Sequence, residues 1–271
     1  MIPDHHMHSD FCPHAEGAPR EYVERAIELG MCEMGFAEHL PFPRGWHPRH
    51  DVTDDWAMAW EDVDDYVTVV RDLAAEYSAD VRIVLGIEAD YLEDAVDETA
   101  EALAAYPFDY VIGSVHVIGD RFGFDHPELH DRVPAYGLDR VHLETLELAG
   151  RAAASGLFDV IGHLDHAKKL GPPDDVGAVR AAACRALRAI AASGAALELN
   201  SAGLRMPVAE PYPSPMLLAE AHDLGIPLVF ASDAHRPADV GAGFACTAAV
   251  ARAAGYTETL SFAGAPAEAL G

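Results

Sequence analysis

The chain has 271 residues, 50% of them hydrophobic, and a formal net charge of −27. This length and apolar content suit one domain of α/β-barrel size. So acidic a surface repels nucleic-acid backbones, and no apolar run reaches membrane-spanning length. We therefore expect neither a nucleic-acid partner nor a membrane partner. The four cysteines show no paired spacing and the first residues show no secretory signal, so we expect a soluble cytoplasmic protein.

Short apolar runs and helical spacing alternate along the chain. The runs predict strands at residues 2–5, 34–37, 81–87, 110–113, 158–162, 196–200 and 227–231. The spacing predicts helices at residues 20–30, 61–77, 94–105, 138–154, 178–192, 215–224 and 238–254. Such alternation is typical of an α/β fold with a parallel sheet. Seven units fit a barrel, while an open doubly wound sheet lacks support because its dinucleotide glycine fingerprint is missing.

Most of the predicted strands end in a histidine or an acidic residue. His6 and His8 alternate in an extended segment, so both imidazoles point to one side and can bind one cation. The complete set is His6, His8, His14, His39, Glu88, His116, His163, Asp233 and His235. In an α/β barrel the carboxyl ends of the strands meet on one face, where active sites lie. The pattern therefore predicts a metal site, and this donor chemistry suits Zn, Mn or Fe.

Each of these residues also has a simpler explanation when it is taken alone. The first histidines could form a cluster without an ordered site, Asp233 could cap a helix, and Glu88 could be solvated. Nine such coincidences at strand ends are a weaker explanation than one shared site. Glu88 is the natural bridge between metals, because a carboxylate has two oxygens to offer.

Several segments carry a family resemblance. Asp4-His5-His6-Met7-His8, followed by Cys12-Pro13-His14-Ala15, resembles the first motif of the PHP superfamily, named for polymerase and histidinol phosphatase. Its other motifs are matched in order by Gly35-Phe36-Ala37-Glu38-His39, Gly86-Ile87-Glu88, Ser114-Val115-His116, Ile161-Gly162-His163 and Ser232-Asp233-Ala234-His235. More narrowly, the segments at 38–43, 123–125, 162–169, 197–205 and 210–214 are similar to those of PHP-type histidinol phosphatases.

The resemblance implies one PHP-type domain over residues 1–271, folded as a distorted (β/α)7 TIM-like barrel with the site at the carboxyl ends of its strands. It also implies three divalent metal ions. Carried over by position, the three ligand sets are His6, His8, Glu88 and Asp233; Glu88, His116 and His163; and His14, His39 and His235.

This site predicts hydrolysis of a phosphate monoester. A metal-bridging hydroxide would attack phosphorus, while the third metal and Arg205 bind the phosphoryl oxygens; a surface position for Arg205 is the alternative. Asp165 or His166 would protonate the leaving group or orient a ligand. Further candidates for substrate contact, several of them in the long loops at 41–57 and 117–137, are Ser114, Trp46, His47 and Phe122.

We therefore expect a metal-dependent phosphatase acting on L-histidinol phosphate in histidine biosynthesis. One alternative is a PHP phosphoesterase for another small phosphate, such as a nucleotide or sugar phosphate. An amidohydrolase-type metal hydrolase is a weaker one, because that class usually carries a bridging carbamylated lysine, whereas Glu88 supplies the bridge here. The last alternative is a nonenzymatic or polymerase-associated metal-binding module. The sequence indicates no oligomeric state.

Overall fold

Parallel strands and helices alternate in the computed structural model, which describes residues 1–49, 56–262 and 268–270. Six strands form one parallel sheet in chain order. They are β1 Glu33–Phe36, β2 Arg82–Asp90, β3 Tyr110–Ser114, β4 Val160–Ile161, β5 Ala196–Asn200 and β6 Leu228–Ala231. The helices are α1 Pro19–Glu28, α2 Val63–Glu76, α3 Val96–Ala104, α4 Val133–Tyr136, α5 Leu138–Ser155, α6 Val176–Ser193, α7 Pro215–Asp223 and α8 Phe244–Ala254. A short antiparallel pair, β7 Glu258–Thr259 and β8 Glu268–Ala269, follows α8.

The predicted parallel α/β architecture is confirmed. Part of the first predicted long loop, residues 50–55, lies outside the described residues. Among the residues that are described, no helix is both long and apolar enough to cross a membrane.

The predicted first strand, at residues 2–5, is an extended segment rather than a regular strand. Asp4 forms an isolated parallel bridge with Met34 in β1, and Met7 forms another with Ala234, just after β6. The backbone N–H of His5 also donates to the Phe230 carbonyl at 3.1 Å. The segment therefore lies between the two edge strands of the sheet, which curls to bring them close.

The predicted helix at 238–254 begins later than expected. A 3-10 turn covers Pro237–Asp239, and the helix α8 starts only at Phe244. Gly241 and Gly243 lie between them with φ angles of 65° and 82°. These left-handed conformations are incompatible with a continuous right-handed helix, and glycine adopts them readily.

Tyr110 fixes the backbone immediately before His6. Its side chain crosses the inside of the sheet over Gly35 and Gly86, where an added Cβ would come within 2.3 Å and 2.2 Å of Tyr110 atoms. Its hydroxyl donates to the His5 carbonyl at 2.5 Å. The two glycines therefore make room for a hydrogen bond that holds the extended segment in place.

Glu33 closes the opposite end of the sheet. Its buried carboxylate lies 2.8 Å from His5 Nε2 and accepts hydrogen bonds from the Ser261 hydroxyl at 2.5 Å and from the Phe262 N–H at 2.8 Å. The Phe262 ring stacks on Tyr110 with centroids 4.4 Å apart. This end is filled by side chains, so the carboxyl ends of the strands are left for the site.

The Glu33 carboxylate should make stability depend on pH. Burial by itself would raise the pKa of Glu33, but hydrogen bonds from His5 and Ser261 outweigh it and lower the pKa from 4.5 to about 2. A carboxyl with a lowered pKa stabilises the fold above its unfolded pKa, and this contribution disappears as the pH falls toward 2. Glu33→Gln should lower the free energy of unfolding by roughly 3 kcal/mol at pH 7.

Urea denaturation of chelator-treated protein at several pH values would test this. We expect the difference between wild type and Glu33→Gln to narrow below about pH 4.5. A difference that grows as the pH falls would contradict the assignment.

Candidate metal centre

The structure brings all nine predicted strand-end residues to one cavity or its immediate wall. His6 and His8 come from the extended segment between β1 and β6, and His14 follows that segment before α1. The other six residues lie near or just after the carboxyl ends of β1, β2, β3, β4 and β6. His6, His8 and Glu88 are almost completely buried. Fully buried imidazole and carboxylate groups are rare unless they are paired or bind a metal.

Glu88 lies at the centre of the cluster. Its Oε2 is 2.8 Å from His39 Nδ1 and 3.2 Å from His6 Nε2. Its Oε1 is 3.0 Å from His163 Nε2 and 3.7 Å from His116 Nε2. The two carboxylate oxygens thus face two different groups of imidazoles, which is the geometry of a bridging ligand.

The length of β2 carries Glu88 into this position. Beyond the end of β1, the Glu88 N–H donates to the Glu38 carbonyl at 2.9 Å, and its carbonyl accepts from the Leu40 N–H at 2.7 Å. On the other side, Glu88 is in register with Ile112 of β3. Both neighbours therefore hold the backbone of Glu88.

Asp233 completes the side of the cluster near His8. His8 Nε2 lies 3.5 Å from both Asp233 Oδ1 and Glu88 Oε2. Asp233 Oδ1 is also 3.5 Å from His235 Nδ1. The backbone of Asp233 has a φ of 53°, a left-handed conformation that aspartate adopts more often than most residues. This sharp turn after β6 directs both side chains toward the cluster.

His14 lies at the exposed rim. Its ring centroid is 5.0 Å from that of His235 and 5.3 Å from that of His39, and it lines the same cavity.

Several sets of three ligand atoms lie within 4.8 Å of one another, close enough for one ion. Within the described ranges, these sets are His6, His8 and Asp233; His8, His39 and His235; His39, Glu88 and His116; His116, His163 and His166; and His8, Cys12 and Glu38. All nine residues except His14 belong to such a set. The last two sets include residues that were not predicted as ligands.

Unpartnered buried atoms show that the residues present fit a metal. His6 Nε2, His8 Nε2 and Glu88 Oε2 are buried, and none makes a contact of hydrogen-bond geometry with a described residue, although Glu88 Oε2 lies 2.8 Å from His39 Nδ1. An unsatisfied buried polar atom is costly, and a cation would give all three a partner. Imidazole nitrogen and carboxylate oxygen are ligands that zinc accepts.

The electrostatics of Glu88 and His8 agree with this fit, whereas carboxylates outweigh burial at His6 and His116 and raise both pKa values, that of His116 to about 10, so a metal would have to displace a proton there. Burial opposes charge on Glu88, but His39, His6 and His116 outweigh it and hold its pKa well below the usual range. Burial, together with His39 and His235, holds the pKa of His8 well below its usual value. An ionised carboxylate and a neutral imidazole are the forms that bind metals.

Three carboxylates that contact the cluster histidines were missed by the sequence reasoning: Glu198 and Glu38 are completely buried, and Asp90 is partly exposed and lines the cavity. Glu198 contacts His6 Nδ1, and Asp90 lies 3.3 Å from His116 Nδ1. Glu38 accepts from the Ser9 hydroxyl, and burial raises its pKa to about 7. Carboxylates in this position orient ligating histidines. The sequence signal that could have revealed these carboxylates is an acidic residue inside, or shortly after, an otherwise apolar strand.

The cavity in front of the cluster has a volume of about 450 Å³. Besides the cluster residues His14, His39, Glu88, His116, His163, Asp233 and His235, its lining residues are Trp56, Asp90, Asp125, His126, Pro127, His130, His166, Lys169, Ala202, Arg205, Met206, Tyr212 and Asp239. Sequence reasoning did not select Trp56, Asp125, Lys169 or Tyr212.

Of the predicted polar residues, Arg205 and His166 line the cavity. Arg205 Nη2 donates to the carbonyls of Ser232 at 2.8 Å and Asp233 at 3.1 Å. His166 Nε2 lies 3.3 Å from Asp125 Oδ1, and burial beside His163 lowers the pKa of His166 to about 3.

The other predicted polar residues are placed differently. Ser114 donates to Glu88 Oε1 at 2.5 Å, so its hydroxyl supports a cluster residue. Asp165 is not among the lining residues; its Oδ2 accepts from the Ser214 N–H at 2.9 Å and from Lys168 Nζ at 3.1 Å.

Trp46, His47 and Phe122 are also outside the lining of this cavity. Trp46 Nε1 donates to Asp94 at 2.8 Å, and Phe122 stacks on Tyr136 with centroids 4.5 Å apart. Their contact with a substrate stays a prediction that this arrangement does not favour.

The described fold and cluster define an α/β protein with a metal site at the carboxyl ends of a parallel sheet, and comparison with known proteins identifies the family. Residues 4–202 match the model of the PHP domain. The chain is 40% identical to a probable histidinol-phosphatase of Deinococcus radiodurans over 89% of each chain. It is 31% identical to the histidinol-phosphatase of Bacillus subtilis, over 88% of this chain and 95% of that one. The chain belongs to the PHP domain family, and its relatives place it among the histidinol phosphatases.

A solved structure supports the same grouping. The histidinol phosphate phosphatase of Lactococcus lactis, complexed with Zn, L-histidinol and phosphate, is 26% identical and has a TM-score of 0.77. The match covers 96% of this chain and 97% of that chain.

Removal of the Glu88 charge should greatly weaken the binding of zinc to the metal centre. Glu88→Gln keeps the size of the side chain, but an amide is a poor bridge between cations. We expect a loss of zinc affinity of more than about 100-fold, beyond the effect typical of residues behind a ligand. Elemental analysis and chelator competition measure it, with Glu220→Gln on α7 as the control. Full metal content in Glu88→Gln would argue against a bridging role.

Proposed function

We propose that this protein is a metal-dependent phosphatase that hydrolyses L-histidinol phosphate to L-histidinol and phosphate in histidine biosynthesis. The observation that carries the proposal is the convergence of the strand-end histidines on Glu88 beside a cavity of about 450 Å³. The relatives, which are histidinol phosphatases matched over most of their length, support the substrate. The Lactococcus lactis structure, which holds zinc, L-histidinol and phosphate, supports both the metal and the ligand.

The proposed metal complement is three divalent ions, zinc or alternatively Mn or Fe. The proposed ligand sets are His6, His8, Glu88 and Asp233; Glu88, His116 and His163; and His14, His39 and His235. Glu88 is shared by two sets, as its two oxygens allow. When bound, such ions acidify water toward neutral pH and neutralise phosphoryl charge.

The protein's own cations would orient the phosphoryl group. Arg205 is anchored through Nη2 to two carbonyls beside Asp233. Its Nη1 has no partner among the described residues, so it can donate to a phosphoryl oxygen, and guanidinium geometry matches such oxygens well. Lys169, which lines the same cavity and lies 2.5 Å from Asp125 Oδ1, adds a second positive charge.

The remaining lining groups suit the organic part of the substrate. L-histidinol carries an amine and an imidazole, both of which a carboxylate such as Asp125 can accept from. Trp56 and Tyr212 offer aromatic surface to the imidazole ring. Of the two candidates for protonating the leaving group or orienting a ligand, His166 lines the cavity and Asp165 does not; with a pKa of about 3, His166 is a neutral imidazole near pH 7 and suits the orienting role.

The fold supports a finer proposal about architecture. The extended segment from Asp4 to Met7 pairs with β1 on one side and with the residues after β6 on the other. It can therefore take the place of the seventh strand of a distorted (β/α)7 barrel. We propose that the whole chain is one such domain, working in the cytoplasm as a phosphatase of a biosynthetic pathway.

Phosphate release from L-histidinol phosphate, beside a panel of nucleotide and sugar phosphates, tests the function. Zinc-loaded protein should strongly prefer L-histidinol phosphate, and Glu88→Ala should abolish release. Turnover of the other phosphates alone would keep the phosphatase chemistry and reject the substrate. The absence of release from every compound, with zinc verified as bound, would reject the phosphatase.

Arg205→Lys should distinguish the contribution of Arg205 to phosphoryl binding from that of the metal centre. A lysine keeps the charge but loses the planar fork, so kcat/KM should fall by about 100-fold or more, as when one donor to a developing anion is removed. The zinc content should stay unchanged, since Arg205 is not a proposed ligand. Arg180→Lys, in an exposed ion pair with Glu220, is the matched control. Unchanged kinetics in Arg205→Lys would place the phosphoryl group elsewhere.

A further inference from the structure

We propose that Glu198, together with Asn200, is a positioning residue that sets the orientation of His6, His163 and Asp233. The inference rests on the proposed metal centre, in which these three residues are ligands. It assigns a role to the inner face of β5, the strand from which no ligand was predicted.

Glu198 is completely buried, and both of its oxygens are engaged. Oε1 forms a short contact with His6 Nδ1. Oε2 accepts from the backbone N–H of His163 at 2.6 Å and from Asn200 Nδ2 at 3.2 Å. One side chain thus links the extended segment, the end of β4 and β5.

The orientation of the Asn200 amide is set by its other partner. Asn200 Oδ1 accepts from the Ala202 N–H at 2.8 Å, so the opposite end of the amide carries the hydrogens. These go to Glu198 Oε2 and to Asp233 Oδ2, which lies 3.1 Å from Nδ2. Asp233 is held through Oδ2, which leaves Oδ1 on the side of His8.

Two of the Glu198 partners can only donate hydrogen bonds, namely a backbone N–H and an amide NH2. A carboxylate is therefore suited to the position, since both of its oxygens accept. His6 then donates from Nδ1, so its other nitrogen, which lies on the side of Glu88, is the one that supplies a lone pair to a metal.

A glutamine at position 198 has the same size but cannot satisfy the same partners. If its oxygen faces His6, its NH2 group faces the His163 N–H; if it is turned over, its NH2 group faces His6 Nδ1. Either orientation places a donor against a donor and disturbs a ligand. Loss of such a supporting carboxylate typically weakens metal binding by about 10- to 100-fold.

The experiment compares Zn²⁺ affinity in wild type, Glu198→Gln and Glu33→Gln by chelator competition. Glu33 is the matched control, because it is another fully buried carboxylate paired with a histidine but lies at the opposite end of the sheet. We expect Glu198→Gln to bind zinc about 10- to 100-fold more weakly and Glu33→Gln to keep the wild-type affinity.

Proton NMR adds a readout that a general loss of stability would not reproduce. The Nδ1 proton of His6, hydrogen-bonded to a carboxylate, should resonate far downfield in wild type and in Glu33→Gln. It should move upfield or disappear in Glu198→Gln.

Wild-type zinc affinity together with an unchanged His6 proton in Glu198→Gln would overturn the proposal. If that variant does not fold, Glu198→Asp takes its place, because it keeps the charge but withdraws the carboxylate by one methylene; wild-type affinity there would equally overturn it. If wild type binds zinc more tightly than Glu198→Gln but releases no phosphate, the positioning role stands and the proposed activity fails. If wild type releases phosphate and Glu198→Gln binds zinc equally well, the activity stands and the positioning role fails.

Discussion

The burial of one carboxylate among imidazoles is the constraint on which this structure depends. Glu88 has almost no contact with solvent, and five histidines of the cluster lie within 3.7 Å of its two oxygens. Removing such a charge from water costs several kcal/mol unless the surroundings compensate it. A cation is the compensation for which the unpartnered atoms of His6, His8 and Glu88 are arranged.

The fold meets this constraint by placing further carboxylates against the histidines of the cluster. Glu198, Asp90 and Glu38 each come within hydrogen-bonding or ion-pair distance of a cluster histidine. The backbone of the extended segment is held by the Tyr110 hydroxyl, for which Gly35 and Gly86 leave space. Some of the side chains that face the cavity are thus held by groups that do not line it, namely Glu198, Glu38 and the Tyr110 hydroxyl, while Asp90 both contacts His116 and lines the cavity.

Two cationic side chains line the cavity of this strongly acidic protein. The chain has a net charge of −27 and only two lysines, which are adjacent. Lys169 lines the cavity, whereas Lys168 is bound to Asp165 and to the Pro211 carbonyl. Arg205 lines the same cavity, so two of the 18 Lys and Arg residues of the chain stand beside the metal cluster.

The sequence by itself determined the strand ends and therefore the candidate ligands, because apolar periodicity and the residue that follows each strand are local properties. It predicted the parallel α/β architecture and the nine residues that the structure brings together beside one cavity. It was wrong where backbone conformation or pairing between distant residues decides the structure. The first predicted strand is an extended segment, and the last helix begins only at Phe244 because two glycines before it adopt positive φ.

Only the tertiary structure showed which groups stand behind the donors. His6 and Glu198 are 192 residues apart in sequence, and no local pattern relates them. Trp46 and Phe122 were sensible candidates as aromatics in long loops, yet they pack away from the cavity, while Trp56 and Tyr212 line it. The path of a loop and the partner of a buried side chain are set by the packing of neighbouring strands and helices, which periodicity does not encode.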